Sequence, residues 1–366
     1  MEKGKQLREQ CDQFLKSITK EDKVALHFHG DADGVSSAVI VAKTIERLRG
    51  KKVDLVFYQE PYYVTDETIE KLKKNNITKY IVVDQSIDEK PEQVKKVEAF
   101  AKILILDHHA YQNDLTSEKT TFVHADKLND MLPIRYPVAK LSFDLCKRVA
   151  KIDDLDWVSC FGLIGDVGYA YWKEFVDGAL KKYHYEPMKD GPATEFGKIT
   201  KLVTAAKCYH PEKILECFDI VYNAKKPDDV IYSSLKKYKA AINDEMQYWL
   251  NQRDQAEVYG DLIILEIRPK YQIFSPFTTV VSMEYYPKAA TVVVISDTGG
   301  KMINVSARRQ DGKLPVNELL KETTVIIGKG NGGGHPIAAG GQIPREAKKA
   351  FKEALIKLYQ EKYAKR

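Results

Sequence analysis

Acidic and imidazole side chains in this 366-residue chain gather at the ends of its apolar runs. The run KVALHFH (23–29) leads through His27 and His29 into Gly30-Asp31-Ala32-Asp33-Gly34. KYIVV ends at Asp84, KILIL ends at Asp107-His108-His109, and the apolar stretch GLIG ends at Asp166. Singly, each is ordinary: a DxDG after a strand serves as a turn and helix cap, and a lone terminal Asp as a cap. Together they are costly, because carboxylates crowded at one edge repel one another unless a cation offsets them. Asp31, Asp33, Asp84 and Asp166 match the charge of two divalent ions, with two imidazoles as neutral ligands. An oxygen-rich set without thiolate favours Mn²⁺ or Mg²⁺ over structural zinc. A bridging aspartate can hold two such ions roughly 3.5–4 Å apart, the spacing used for in-line displacement at phosphorus. Phosphoester hydrolysis is the chemistry expected.

Those side chains converge only if the apolar runs are neighbouring strands. Runs at 23–29, 53–58, 79–84 and 102–107 alternate with helical spacing at 35–48, 67–74 and 91–100. This predicts an α/β fold: a doubly wound, mainly parallel sheet covered on both faces, followed by helices at 137–150 and 154–163. Ligands of such sheets bind outside the carboxyl ends of the strands, where these acids fall. The region 191–257 is rich in Lys, Ala, Leu and Tyr without a convincing strand, and predicts a helical connector with one long helix over 232–255. A smaller α/β unit follows, with strands at 261–267, 290–296, 302–307 and 337–343, a short helix at 316–321 and a final basic helix. The expected division is a catalytic domain over 1–190, the connector, and a substrate-binding domain over 258–366.

The second unit carries the glycine-rich stretch GKGNGGGHP (328–336), expected as a loop. Gly328, Gly330 and Gly333 satisfy GxGxxG, but the motif should open a helix, and here His335-Pro336 and a strand-like IAAGGQI follow. No Gly-Lys-Ser/Thr ends it, so it is not a phosphate loop of the nucleotide-triphosphatase kind. Glycines still let backbone N–H groups approach an anion closely, and His335 could add a donor. Upstream, Ser306-Ala307-Arg308-Arg309 ends a strand, and an arginine there could fork onto a phosphate. The alternative for both is a tight turn with a solvated arginine pair.

Composition bounds the rest. The chain is 44% hydrophobic and 30% charged, which excludes a disordered or collagen-like protein. No apolar run is long enough to cross a bilayer, and the first residues lack a signal-peptide stretch, so no membrane partner is expected. The five cysteines (Cys11, Cys146, Cys160, Cys208, Cys217) are scattered and form no CxxC, and a reducing cytoplasm is the expected compartment. The net charge of +5 equals that of residues 345–366, with eight Lys/Arg and three Glu. A basic helix on a neutral body suits a polyanion, although a solvated helix face is the commoner meaning.

In the order and spacing of HGDADG (29–34), the VVD of Asp84, DHH (107–109), the GDxG of Asp166 and NGGGHPIAAGG (331–341), the chain resembles the DHH phosphoesterase superfamily. The resemblance extends over nearly the whole chain, in the two-domain form with a C-terminal DHHA1 domain. It is similar in particular to RecJ-like exonucleases of the compact archaeal kind and to nanoRNases. The resemblance implies that His29, Asp31 and Asp84 hold one Mn²⁺, and that Asp33, Asp84, His108 and Asp166 hold the other, with Mg²⁺ as the alternative ion. It implies His109 beside the scissile phosphate, Asp107 orienting its neighbours, and Arg308, His335 and the backbone of Gly332, Gly333 and Gly334 binding phosphate. Some branches use the position of His27 rather than His29 as first ligand; RecJ-like proteins use that of His29, leaving His27 a supporting role.

The activity so implied is Mn²⁺-dependent hydrolysis of single-stranded DNA or RNA from an end, with 3′→5′ polarity favoured, in DNA repair, replication or RNA turnover. Tyr169, Tyr171 and Trp172 follow Asp166 closely and are candidates for base stacking, with core packing as the alternative. Two other classes stand beside this one: a small-molecule phosphoesterase acting on cyclic dinucleotides or nucleoside phosphates, and a non-catalytic replication scaffold. Helicase or replication partners are implied by resemblance alone, and a homo-oligomer is left open.

Overall fold

Five short strands, most of them rich in Val, Ile and Leu, lie side by side in the computed structural model, which describes residues 4–59 and 63–363. They are β1 (Val24–Phe28), β2 (Leu55–Tyr58), β3 (Lys79–Val83), β4 (Lys102–Asp107) and β5 (Thr120–His124), in the spatial order β2-β1-β3-β4-β5. Every pairing is parallel. All residues of β1 and β3 are buried, as a sheet covered on both faces requires. From β1 the chain winds outward to β2 and then returns to β3 on the other side. That reversal opens a crevice at the carboxyl ends of β1 and β3.

The covering helices are α1 (Lys5–Lys16), α2 (Ala32–Arg49), α3 (Asp66–Lys74), α4 (Pro91–Glu98), the single turn α5 (Ala125–Leu128), α6 (Val138–Cys146), α7 (Asp156–Gly165) and α8 (Lys173–Lys182). On one face Ile69 and Leu72 of α3 and Val94 and Val97 of α4 pack on Phe57, Tyr80, Val82, Ile103 and Ile105. Beyond the other face, α2 packs against both α6 and α7. Helices α9 (Glu195–Tyr209), α10 (Lys213–Asn223), α11 (Pro227–Ile231) and α12 (Lys236–Asn251) follow. By contacts the chain divides into Met1–Lys207 with Pro211–Lys239, and Cys208–His210 with Ala240–Arg366. The region expected as a connector is mostly helical and divides at Lys239/Ala240. The single helix expected over 232–255 is shorter, beginning at Lys236 after a turn and ending at Asn251.

The second unit holds β6 (Glu257–Tyr259), β7 (Leu262–Ile267), α13 (Phe274–Val280), β8 (Thr291–Ser296), β9 (Met302–Arg308), α14 (Val316–Ile327), β10 (Asn331–His335), β11 (Ala338–Pro344) and α15 (Lys348–Leu358). Its six-stranded sheet runs β10-β11-β9-β8-β7-β6 and is antiparallel except where β7 meets β8. Leu319 and Leu320 of α14 and Phe351 and Leu355 of α15 close its core against Ile264, Val293 and Val305. The helix expected to stop at 321 runs on to Ile327 and ends at Gly328, whose φ of 63° closes it.

The glycine-rich stretch is a strand, not a loop: β10 pairs residue for residue with β11, from Asn331↔Gln342 to His335↔Ala338. Nor is the basic segment bare. Lys348 and Lys352 reach Glu266, Lys352 also reaches Glu257, Arg345 reaches Asp297 and Lys362 reaches Glu322. Acids of its own unit answer most of that charge, while Lys365 and Arg366 lie outside the described residues.

Candidate metal centre

Four chain segments deliver the acids and imidazoles to one crevice. β1 stops at Phe28, and His29 enters a turn whose Asp31 caps α2, its Oδ1 accepting from Gly34 N at 2.9 Å. Glycine is required at 34, since a Cβ there would stand 2.1 Å from the His29 carbonyl oxygen. Asp33, in the first turn of α2, accepts from Val138 N (2.7 Å) and Ala139 N (2.8 Å), free donors at the N-terminus of α6. Asp84 follows β3 with a φ of 60°, a left-handed conformation that Asp and Asn tolerate better than most residues. Its N–H donates to Leu106 O at 2.9 Å, which ties the turn to β4.

Asp107, the last residue of β4, turns Oδ1 back to His108 N (2.8 Å), His109 N (3.3 Å) and His109 Nδ1 (2.8 Å). From β5, His124 donates Nε2–H to the His109 carbonyl at 2.8 Å, a support that no sequence motif announces. Asp166 sits at the C-terminal end of α7 with its carboxylate partly exposed.

The donors converge in three overlapping groups, each with one atom per residue lying mutually within 4.8 Å: His29, Asp31 and Asp84; Asp33, His108 and Asp166; and Asp84, His108 and His109. His29 Nδ1 is 2.8 Å from Asp31 Oδ2 and 3.5 Å from Asp84 Oδ2. His108 Nε2 is 3.1 Å from Asp166 Oδ2 and 3.5 Å from Asp84 Oδ1. Asp84 is 2% exposed, yet neither of its carboxylate oxygens has a hydrogen-bond partner among the described residues. A buried carboxylate left so is strongly disfavoured unless protonated or paired with a cation.

Burial, and then the neighbouring Asp33, Asp31, Asp166 and Asp107, push the Asp84 carboxyl well above its usual range. Burial and Asp166 likewise raise Asp33, to about 8. Burial works against a charged His108, but its bond to Asp166 and the field of Asp33 win and raise it to about 9. His109 is raised in the same way, burial being overcome by Asp107. Burial opposes ionisation of Asp31 too, and there His29 and the Gly34 N–H hold the carboxyl below its usual range. These are the marks of a site whose carboxylates need positive charge, and the donor set fits hard divalent cations.

His27 stands apart from this cluster. Its Nδ1 is 2.6 Å from the Tyr80 hydroxyl, its ring stacks on Phe57 at 4.6 Å, and it is fully buried. Burial, with Lys71 and His29 nearby, lowers it to about 3. Of the aromatic candidates, Tyr169 is buried, its hydroxyl donating to Met188 O at 2.8 Å. Trp172 stacks on Tyr136 and donates Nε1–H to Arg135 O at 2.8 Å. Tyr171 stays 51% exposed, with the Arg135 guanidinium 4.6 Å from its ring centre. Packing explains the first two, and Tyr171 is the most exposed of the three rings.

A cavity of about 160 Å³ at the crevice is lined by His29, Asp84, Gln85, Ser86 and His109. Gln85 and Ser86 carried no sequence signal, since a polar pair after a strand reads as an ordinary turn.

In the second unit, Arg308 ends β9 with its guanidinium partly buried. It donates to the hydroxyls of Ser275 (2.9 Å), Thr279 (3.2 Å) and Ser306 (3.2 Å) and to the carbonyls of Ala307 (2.9 Å) and Ala339 (3.2 Å). All are neutral, so its charge is uncompensated among the described residues, and burial lowers its pKa. Gly332 is fixed by packing, because a Cβ would lie 2.9 Å from the Leu320 backbone, whereas Gly333 faces open space. His335, at the end of β10, is exposed.

Residues 23–151 match the model of the DHH family, N-terminal domain, and residues 279–361 match that of the DHHA1 domain. The single-stranded-DNA-specific exonuclease RecJ of Bacillus subtilis is 26% identical over 108 residues, 29% of this chain and 14% of that protein. RecJ of Thermus thermophilus, solved in complex with Mn²⁺, superposes with a TM-score of 0.73 at 16% identity, over 97% of this chain and 55% of that one. This chain is a DHH/DHHA1, RecJ-like protein. The DHH match contains every acid and imidazole of the cluster except Asp166, which follows it, and the DHHA1 match contains Arg308 and the glycine strand. The chain thus spans about half the length of the Thermus RecJ. A second RecJ structure, bound to manganese, is covered over 94% of its length at 17% identity and a TM-score of 0.70. CDC45 of Entamoeba histolytica shares the fold as well, with a TM-score of 0.58 at 10% identity over 98% of its length.

Proposed function

We propose that this chain is a Mn²⁺-dependent phosphodiesterase that removes nucleotides from the end of single-stranded DNA or RNA, in the 3′→5′ direction. The observation that carries the reading is Asp84, a buried carboxylate with two unpartnered oxygens at the meeting point of His29, Asp31, His108 and His109. His29, Asp31 and Asp84 would hold one divalent cation, and Asp33, Asp84, His108 and Asp166 the other. Such ions, when bound, make water nucleophilic near neutral pH and offset the charge on phosphoryl oxygens.

The remaining steps belong to the chain's own groups. Asp107 holds His109 and favours its protonated form, which suits His109 to give a proton to the departing oxygen. Arg308, gripped by neutral partners only, keeps its full charge for a phosphate, and His335 with the Gly332–Gly334 backbone would add donors. Tyr171 offers the face on which a base can stack.

The deciding experiment incubates the protein and Mn²⁺ with 5′- and 3′-labelled 20-mers of single-stranded DNA and RNA. A ladder shortening from the 3′ end is expected. Turnover of a dinucleotide with both 20-mers left intact would replace this reading with a small-molecule phosphoesterase.

A further inference from the structure

Gln85 directly follows Asp84 and is 1% exposed. Its Nε2 lies 3.0 Å from Phe28 O and 3.4 Å from Gln59 O. Both partners are carbonyls, which only accept, so the amide nitrogen must face them and the orientation of the side chain is fixed. The opposite atom, Oε1, is buried and has no donor among the described residues. Leaving an amide oxygen so is costly, and such an atom in a ligand cavity calls for a donor brought by the ligand.

No group lining the cavity donates to Oε1. Gln85 lines it together with His29, Asp84, Ser86 and His109. The Ser86 hydroxyl donates to Ala110 O at 3.3 Å, so it presents lone pairs rather than a proton. A phosphodiester carries no donor of its own. In DNA the sugar has a hydroxyl only at the strand end, whereas RNA has a 2′-hydroxyl at every nucleotide, the group by which a protein tells the two apart.

We infer that Gln85 Oε1 accepts a hydrogen bond from the 2′-hydroxyl of the nucleotide being removed, which makes Gln85 a specificity-determining residue and RNA the preferred strand. This rests on the phosphodiesterase reading above and narrows its substrate. A site built to bond a hydroxyl discriminates against the analogue lacking it far more than an apolar pocket would.

The test compares kcat/KM on four 5′-labelled 20-mers: all-RNA, all-DNA, RNA with a single 2′-deoxy nucleotide at its 3′ end, and RNA with a single 3′-deoxy nucleotide at its 3′ end. The wild-type chain should favour all-RNA over the 2′-deoxy-ended strand by about ten- to a hundredfold, and treat the 3′-deoxy-ended strand like all-RNA. In Gln85→Met, of similar length but without the acceptor, that preference should fall to within about twofold. The thermal shift that Mn²⁺ gives should be unchanged in this variant. Equal wild-type rates on the RNA and 2′-deoxy-ended strands would overturn the assignment and leave the nuclease reading standing. So would sensitivity to the 3′-deoxy end alone, or loss of the Mn²⁺ shift in Gln85→Met, which would make Oε1 a cation ligand. Intact 20-mers throughout would overturn both readings.

Discussion

The Asp84 carboxylate stands 3.5 Å from His108 Nε2 where two neighbouring strands end, and no donor bonds either of its oxygens among the described residues. Everything expected of the site follows from that pairing of proximity with want of a partner. Residues far apart in sequence meet there because β1, β3 and β4 are adjacent and parallel, and so end on the same edge.

Asp84→Asn keeps the shape of the side chain and removes its charge. Mn²⁺-dependent hydrolysis should fall by more than about a hundredfold, the larger loss seen when only a supporting partner of a metal ligand is removed. The metal-free variant should melt no lower than wild type, because the mutual repulsion is relieved, and Mn²⁺ should no longer raise its melting temperature. Calorimetry with and without Mn²⁺ checks both.

Asp33 at about 8 and His108 at about 9 are raised above their unfolded values, so the folded metal-free protein holds protons there that the unfolded chain has released. Their contribution is therefore lost as pH climbs. His27, lowered to about 3, acts oppositely but only below about 6.5, its unfolded value. Metal-free stability should decline between pH 6.5 and 9, and the stabilisation by Mn²⁺ should grow over the same range. A pH series of melting curves reads both trends.

Gly34→Ala touches no proposed ligand, yet its Cβ would collide with the His29 carbonyl. The forced shift should cost about 2 kcal/mol of stability and weaken Mn²⁺ binding by displacing His29. Denaturant melts and Mn²⁺ titration of the same variant would separate the two effects.

His27→Phe should retain the Mn²⁺ thermal shift, since the ring lies on Phe57 and away from the acids. It should lose about 1 kcal/mol with the Tyr80 hydrogen bond. His29→Ala should do the reverse, abolishing the shift.

Arg308→Met removes a guanidinium held by hydroxyls and carbonyls. KM for oligonucleotides should rise by about ten- to a hundredfold, as for a lost charge-assisted hydrogen bond, with the Mn²⁺ shift intact. Initial rates against substrate concentration check this.

The parallel sheet was legible because KVALHFH, KYIVVD and KILILD are continuous apolar runs, and a strand buried on both faces needs them. β5 was not, since TTFVH mixes Thr and His at the sheet margin and reads as polar. β10 was hidden for a different reason: NGGGH has almost no side chains in which alternation could be seen. α1 also went unforeseen, although Cys11, Phe14 and Leu15 line its buried face. The acids of the site were legible by type and by their place after strands. Their supports were not, because the N–H groups of Val138 and Ala139 that hold Asp33, and the imidazole of His124 behind His109, come from distant segments and carry no motif.

The left-handed backbone at Asp84 also narrows what substitution can do there. Glutamate would preserve the charge but is a poor tenant of that conformation, while asparagine and glycine settle into it readily. The replacements that fit this backbone best are thus the uncharged ones. A single exchange at Asp84 would leave the framework intact and the candidate cation site without its central charge.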